Sequence, residues 1–259
     1  MAGRAVLTGL NGTVAPLVKE VLERQGFEVI KFDREKVDNS SEDSMRAFLD
    51  QVQPTHLYHI ASNGPMTWPG FLAKYAYEHQ IVFVFTSSEI VFSDKNNGPY
   101  TVDSPADKDP KDFGGDKLVF ENDIRSVNPK AYICRLGWQL GDSFEGNTIL
   151  AFLQKTHEEQ GRIEASSKWI PTTSFIKDTA EFLYRIPKEM EPGIYHLNGN
   201  PGISFFEIAK LVNDKYQKGW TIVETDKPIR DSRLLDPRVK MPMITEHLQE
   251  RSHYQVGGA

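Results

Sequence analysis

The feature that most constrains the fold is the alternation of short apolar runs with helix-like segments through the first half of the chain. The apolar runs are RAVLTGL, FEVIKFD, HLYHIAS, IVFVFTSSEIVF and AYICRLGW, and segments with helical spacing of apolar residues lie between them. Strands that are apolar on both faces are typical of a parallel sheet covered by helices on each side. The sequence therefore predicts an α/β fold, a Rossmann-type doubly wound parallel sheet.

The second half of the chain has a different character. GNTILAFLQKTHEEQG and SFFEIAKLVNDKYQKG predict helices, the second capped by Ser204, and GIYHLNG predicts a short strand. These elements are too few for a second independent sheet. We predict a sheet domain over residues 1–142, a small C-terminal substrate-binding lobe over residues 143–250 with elements returning to the main sheet, and a tail over residues 251–259.

Composition excludes several classes of protein. Lys and Arg total 30 against 36 Asp and Glu, so the net charge of −6 gives no reason to expect a nucleic-acid partner. The single cysteine, Cys134, excludes a disulfide framework within the chain, and the seven histidines lack metal-ligand spacing, so we expect no metal. Without an apolar run of membrane-spanning length or a signal-peptide pattern, we expect a cytoplasmic protein and no membrane partner.

The first chemical motif is TGLNGTVA, which lies between the first predicted strand and the first predicted helix. Gly9 and Gly12 allow a tight turn and a close approach of the backbone to a pyrophosphate, and the helix N-terminus offers unpaired N–H groups. The spacing is Gly-x-x-Gly-x-x-Ala, not the Gly-x-Gly-x-x-Gly of many dehydrogenases. We predict that Thr8, Gly9, Asn11 and Gly12 bind a dinucleotide.

Two residues at the end of the second predicted strand bear on which dinucleotide binds. Asp33 lies where a carboxylate can accept hydrogen bonds from an adenosine ribose. Arg34 follows directly and can instead pair with a 2′-phosphate. The pair is compatible with NAD and with NADP, and Arg34 favours NADP slightly.

The ordered set of motifs resembles a known family. TGLNGTVA, TSSEIVF, GPYTVDSPADKDPKDFGGDK and RLGW follow the order seen in extended short-chain dehydrogenases/reductases. IPTTSFIKDTAEFLYRI, GIYHLNGNPGISFFEIAKLV and IRDSRLLDPRVK look like the sugar-nucleotide-binding part of dTDP-4-dehydrorhamnose reductase. The resemblance implies an NAD(P)-binding domain over residues 1–142, a nucleotide-linked sugar as substrate, and hydride transfer to a ketone carbon.

The resemblance also implies roles for individual residues. Ser88 matches the residue that hydrogen-bonds the substrate carbonyl or hydroxyl, and Lys117 matches the lysine that holds the nicotinamide ribose and lowers the pKa of a neighbouring phenol. Phe113 lies in the position of the tyrosine that delivers the proton. Further cofactor contacts are expected from Ala61, Ser62, Thr86 and Lys117, and further substrate contacts from Glu89, Trp138, Arg230 and Arg233.

Phe113 departs from the family pattern because a benzene ring carries no proton to transfer. Glu89 is a candidate donor if it is buried, and Asp112 is more simply a helix cap. The segment between the third and fourth strands is also shorter than in the family, and Asn63 there belongs to a turn.

Two function classes therefore remain open. The first is an NAD(P)-dependent reductase acting on a nucleotide-linked 4-keto sugar or a related carbonyl substrate with an altered acid or base. The second is a non-catalytic NAD(P)-binding regulatory or scaffolding subunit on the same fold, for which the regulatory subunit of methionine adenosyltransferase is a precedent. A homodimer or a partner enzyme is compatible with either class.

Overall fold

The computed structural model describes residues 3–93 and 97–249, so the predicted tail lies outside the described residues. The strands are, in chain order, β1 (Gly3–Leu7), β2 (Phe27–Lys31), β3 (His56–His59), β4 (Val82–Ser88), β5 (Tyr100–Thr101), β6 (Tyr132–Leu136), β7 (Trp138–Leu140), β8 (Ile163–Ser166), β9 (Trp169–Ile170), β10 (Thr173–Phe175), β11 (Gly193–Leu197), β12 (Ile222–Thr225), β13 (Arg230–Asp231) and β14 (Leu234–Leu235). The helices are α1 (Ala15–Arg24), α2 (Glu42–Val52), α3 (Trp68–Glu78), α4 (Gly115–Val127), α5 (Ile149–Gln160), α6 (Ile176–Glu189), α7 (Phe205–Lys215) and α8 (Ile244–Gln249).

Six of these strands form the central sheet in the order β11-β6-β4-β3-β1-β2, and every neighbouring pair is parallel. The predicted α/β fold with a parallel sheet is therefore confirmed. From β1 the chain first adds β2 on one side and then β3 on the other. This reversal makes a switch point between β1 and β3, at whose carboxyl ends open α/β sheets bind ligands.

Both faces of the sheet are covered, because its strands carry apolar side chains on alternate sides. Phe83 and Phe85 of β4 pack with α2, α3 and α4, whereas Val84 packs on the opposite face with α1 and α6. The helix ends follow local chemistry: Ser41 caps α2, and its side chain accepts the N–H of Ser44. Ser204 caps α7 as predicted, within a capping box.

The second half of the chain contributes to both parts of the molecule. β11 joins the edge of the central sheet beside β6, and α6 packs against α1. Helix α6 was not predicted, although Ile176, Ala180 and Leu183 repeat at helical spacing and are all buried. The remaining elements of the second half pack around an apolar cluster of their own, here called the C-terminal lobe. Among the described residues, four two-stranded parallel pairs lie outside the central sheet, and two of them include β5 or β7 from the first half of the chain.

No helix within residues 3–93 and 97–249 is long and apolar enough to cross a membrane. In the same ranges, no three His, Cys, Asp or Glu side chains lie close enough together to hold a metal ion.

Candidate functional site

The glycine turn after β1 lies directly against the end of β3. The hydroxyl oxygen of Thr8 is buried and accepts the backbone N–H groups of Ile60 and Ala61, each at 3.0 Å. Gly9 has φ +80°, and a Cβ there would lie 2.8 Å from the nitrogen of Ala61. The turn therefore requires glycine at this position, both for its backbone conformation and for the close approach of the two loops.

The first turn of α1 leaves its backbone donors without a side-chain acceptor. Its N-cap residue, Val14, makes no capping hydrogen bond, and a proline lies in the first turn. Asn11 and Gly12 are exposed just before the helix, and the Gly12 N–H donates to the carbonyl of Gly9 at 2.8 Å. A helix N-terminus without a side-chain cap, next to exposed glycine backbone, fits a phosphate group.

His59 is a packed residue behind this turn. Thr8 already accepts two N–H groups, so its own hydrogen is donated to Nδ1 of His59, 3.0 Å away. Burial lowers the pKa of His59 to about 3, with a smaller contribution from the charge of Lys117. The ring is therefore neutral near pH 7 and holds the turn in place.

Asp33 and Arg34 lie after β2, at the edge next to the glycine turn. One carboxylate oxygen of Asp33 accepts the N–H of Glu35 at 3.3 Å. Arg34 is exposed, and its guanidinium donates to the carbonyl of Asn63, after β3, at 3.1 Å. Since β1 lies between β2 and β3, Arg34 connects the two loops on either side of the glycine turn. Ser62 is exposed in the second of these loops.

Lys117 in the first turn of α4 reaches the carboxyl end of β4. Its ammonium donates to the carbonyl of Thr86 at 3.3 Å and lies 5.0 Å from the centre of the Phe85 ring. Burial lowers the pKa of Lys117 to about 8, against the opposing effect of Asp116 and Glu121. The structure thus places a cation that titrates near neutral pH at the same sheet edge as the glycine turn.

Ser88 and Glu89 follow at the end of β4. The Ser88 hydroxyl oxygen accepts the N–H of Ile90 at 3.3 Å, which leaves its hydrogen able to donate elsewhere. Glu89 is only partly buried, and Arg230 donates to its carboxylate at 3.2 Å. The ion pair connects the end of β4 to β13 of the C-terminal lobe, and Glu89 is not the fully buried acid that the sequence left open.

Phe113 is 88% exposed and precedes α4, which begins at Gly115. The N-cap of α4 is Gly114, at φ +78° and without a side-chain cap, so the expectation of a capping role for Asp112 is wrong. Asp112 contributes its backbone carbonyl instead, which accepts the N–H of Gly115 at 2.9 Å. Because the chain turns sharply at Gly114, Phe113 and Lys117 do not share one helical turn, and their side chains differ greatly in exposure.

The other expected substrate residues lie in the C-terminal lobe or pack against its apolar cluster. Trp138 is partly buried and stacks on Trp169 and Phe205, with ring centres 6.4 and 5.9 Å away. The Arg233 guanidinium makes a bidentate ion pair with Asp231, in which Nε and Nη2 lie 3.0 and 2.7 Å from the two carboxylate oxygens. Trp138 therefore belongs to an aromatic cluster of the lobe, and Arg233 is held within its own loop.

A cavity of about 870 Å³ adjoins the glycine turn. Its walls come from Asn11 and Gly12, from the first turns of α1 and α6, and from the loop over residues 141–148. The N–H of Asn147 in this loop donates to the hydroxyl of Thr13 at 3.2 Å. The lobe side of the chain thus reaches back to the turn that precedes α1.

A buried polar network that the sequence did not reveal lies beside this site. Glu121 accepts hydrogen bonds from Arg135 and from the hydroxyl of Ser87, and Arg135 also contacts His196. All four side chains are 4% exposed or less. The available signal was Arg135 itself, a charged residue within the apolar run AYICRLGW, because a buried charge requires a partner.

Comparison with known proteins gives a consistent set of relatives. A family model described as the RmlD substrate binding domain matches residues 65–237, more than half of the chain. A dTDP-4-dehydrorhamnose reductase from Aggregatibacter actinomycetemcomitans is 20% identical, over 82% of this chain and 79% of the relative. A probable low-salt glycan biosynthesis reductase from Haloferax volcanii is 28% identical, over 58% of each chain.

Solved structures share the same architecture. A dTDP-4-dehydrorhamnose reductase from Bacillus anthracis in complex with NADP has a TM-score of 0.83 at 17% identity, covering 96% of this chain and 98% of the other. The WbmH enzyme of Bordetella bronchiseptica in complex with NAD+ has a TM-score of 0.74 at 16% identity, covering 95% and 96%. At such low identity these likenesses establish the fold.

Proposed function

Because the chain belongs to the family of the RmlD substrate binding domain, as the order of its motifs predicted, we propose that it is an NAD(P)-dependent reductase of a nucleotide-linked 4-keto sugar. The observation that carries the proposal is the meeting of two features at one sheet edge. The glycine turn and the uncapped N-terminus of α1 lie at the switch point, and the Lys117 ammonium lies at the end of β4, beside β3.

The chain's own residues fit a dinucleotide. Gly9 and Gly12 form a backbone cradle that side chains would disturb, since a Cβ at either position would lie within 3.1 Å of another backbone atom. The uncapped N-terminus of α1 supplies donors for a pyrophosphate. When bound, the dinucleotide supplies the hydride. Thr8 and Ala61 then serve to hold the turn in the binding conformation.

Arg34 supports NADP as the preferred form. Its guanidinium lies at the adenosine side of the switch point, where a 2′-phosphate offers a bidentate partner. One carboxylate oxygen of Asp33 already accepts the N–H of Glu35, so Asp33 is less able to accept a hydrogen bond from a ribose hydroxyl. The relative from Bacillus anthracis was solved with NADP, in agreement with this preference.

Lys117 and Ser88 carry the proton chemistry in this proposal. Ser88 donates its hydroxyl hydrogen to the substrate carbonyl oxygen and holds it in place. The Lys117 ammonium gives a proton to that oxygen as the carbon gains hydride, so that a ketone becomes an alcohol, and Lys117 regains a proton from water. A pKa of about 8 suits an acid that works near neutral pH. Phe113 has no part in the proton transfer.

The C-terminal lobe is proposed to bind the nucleotide-linked part of the substrate. Trp138 offers an aromatic surface within its cluster, and Arg230 and Arg233 offer guanidinium groups for a pyrophosphate. Glu89 holds Arg230 at the boundary between β4 and the lobe. Binding by Arg230 would require its ion pair to be shared with, or exchanged for, the substrate.

The test combines cofactor binding with turnover. NADPH should raise the melting temperature, as any ligand of the folded state does. Arg34→Ala should remove most of the preference for NADPH over NADH, whereas Arg24→Ala, which changes an exposed arginine paired with Glu181, should not. Oxidation of NADPH in the presence of a panel of 4-keto nucleotide sugars should be measurable and should require Lys117. Absence of binding by both dinucleotides at millimolar concentration would refute the proposal.

One observation favours the second candidate, a non-catalytic regulatory or scaffolding subunit. Phe113 has no hydroxyl and is exposed, so the residue at the position that the resemblance assigns to the proton donor cannot transfer a proton. This candidate predicts NADPH binding without turnover on any member of the panel, together with a partner protein that co-purifies in fixed stoichiometry. Turnover that depends on Lys117 would exclude it.

A further inference from the structure

A row of buried polar side chains crosses the sheet beneath α4. Ser87 on β4 is in register with Arg135 on β6, which is in register with His196 on β11. Glu121 of α4 lies over this row, and the four side chains are almost completely buried. Burying an ion pair costs desolvation free energy, and removing one partner costs more because it leaves an uncompensated buried charge. Such a network in a sheet interior needs a reason beyond stability.

The hydrogen bonds of the network are complete and directional. Glu121 accepts from Arg135 at 2.9 and 2.7 Å, and it also accepts from the Ser87 hydroxyl. Arg135 can only donate, so its contact of 3.2 Å makes Nε2 of His196 an acceptor. The hydrogen of His196 therefore lies on Nδ1 and is donated to the carbonyl of Tyr100 at 3.2 Å. The network fixes α4, β4, β6, β11 and β5 relative to one another.

The network also lies next to residues of the candidate site on α4 and at the end of β4. Glu121 follows Lys117 by four residues, so the two side chains lie one turn apart on the same face of α4. Ser87 directly precedes Ser88, and the Arg135 guanidinium lies 5.1 Å from the ring centre of Phe92, just after the turn that holds Glu89. A displacement of Glu121 would therefore move the groups at the end of β4.

We propose that Glu121 is a positioning residue: its contacts with Arg135 and Ser87 hold the first turns of α4 on the sheet, so that the Lys117 ammonium stays at the Thr86 carbonyl. This inference rests on the proposed function, since it assigns Glu121 a task in the same site. Glu121 touches neither substrate nor cofactor in this role and acts through Lys117.

The charges around Lys117 give the inference a measurable signature. Lys117 faces Asp116 and Glu121 on its own helix and His59 on β3, and Arg135 on β6 lies behind Glu121. Glu121 raises the pKa of Lys117, opposing the effect of burial. Removing that carboxylate both deletes the attraction and leaves the Arg135 cation unbalanced, so the pKa of Lys117 should fall.

The experiment is Glu121→Gln, read by NMR titration of the lysine side-chain nitrogen that disappears in Lys117→Arg. We expect the pKa of Lys117 to fall by about one pH unit and kcat to fall at least about tenfold with an unchanged KM for NADPH. Glu121→Asp, which retains the charge, should restore most of the pKa. Glu164→Gln, at an exposed carboxylate paired with Arg162, is the matched control and should change neither quantity.

A merely structural Glu121 would lower the melting temperature but leave the kcat of the folded fraction unchanged, and that result would overturn the inference. Ser87→Ala separates positioning from charge, because it removes a hydrogen bond to Glu121 but changes no charge. We expect Ser87→Ala to shift the titration of Lys117 and to lower kcat, and unchanged titration and kcat in this variant would equally overturn the inference. The titration needs no substrate, so a wild type without turnover refutes the proposed reductase while the titration of Lys117 in Ser87→Ala still decides the role of Glu121.

Discussion

Replacing Lys117 by methionine should stabilise the protein while abolishing turnover. Methionine has nearly the same length but no charge, so it removes the penalty for holding an ammonium group in a buried place. A pKa of about 8 in place of the ordinary 10.5 corresponds to ~3 kcal/mol against the charged form, at ~1.4 kcal/mol for each pH unit. The lost hydrogen bond to Thr86 offsets about 1 kcal/mol of this gain.

We therefore expect Lys117→Met to be more stable than the wild type by about 2 kcal/mol at pH 7, or about 4–8 °C in melting temperature for a chain of this size. The advantage should depend on pH in a defined direction. Between pH 8 and 10.5 the unfolded wild type binds more protons at Lys117 than the folded form does, so the wild type gains stability as the pH rises. The difference between the two proteins should accordingly shrink by more than half at pH 10.

Thermal and guanidinium unfolding at pH 7 and pH 10, followed by circular dichroism, measure this difference. Lys74→Met is the control, since Lys74 is exposed on α3 and its replacement should change stability by less than about 0.5 kcal/mol. A variant that is less stable than the wild type at pH 7, or an advantage that is the same at both pH values, would refute the reasoning about a desolvated ammonium group.

Three further predictions concern the same sheet edge. Gly9→Ala should destabilise the protein by about 2–4 kcal/mol and weaken NADPH binding, because it combines a left-handed φ with a close contact at Ala61. Gly26→Ala, at φ +83° in open space, should cost only about 1 kcal/mol. Equal losses of unfolding free energy in the two variants would contradict the argument from the Ala61 contact. Phe113→Tyr should change turnover less than about twofold, since the exposed ring precedes α4, and a large gain would mean that the loop moves when substrate binds. Turnover should fall above about pH 8 as Lys117 loses its proton, and NADPH oxidation that stays constant to pH 10 would exclude Lys117 as the acid.

Much of the fold could be predicted because its signals are local. The apolar runs and the serine cap of α7 each act within a few residues, and the sheet follows from the alternation of the apolar runs with helical segments. Asp112 shows the limit of local reasoning. It has the residue type of a helix cap, but the two glycines that follow let the chain turn so that Gly114 takes the cap position instead.

The parts of the site that escaped prediction depend on contacts between distant segments. Glu121 and Arg135 are 14 residues apart, and Arg135 and His196 are 61 apart, so no spacing in the sequence joins them. The position of Phe113 was available from the motif, but its exposure was not, since exposure depends on how the loop before α4 packs. Sequence motifs identify which residues are candidates, and packing decides which of them meet.

The return of α6 and β11 to the central sheet has a consequence for how the protein can be made and recombined. Until residues 176–197 have been synthesised, β6 is an open edge and the apolar side of α1 lacks its partner helix, a condition that favours aggregation. A fragment that stops near residue 142 would carry both defects. Because the lobe is formed by segments on either side of α6 and β11, exchanging it for the lobe of a relative requires junctions at three places along the chain rather than one.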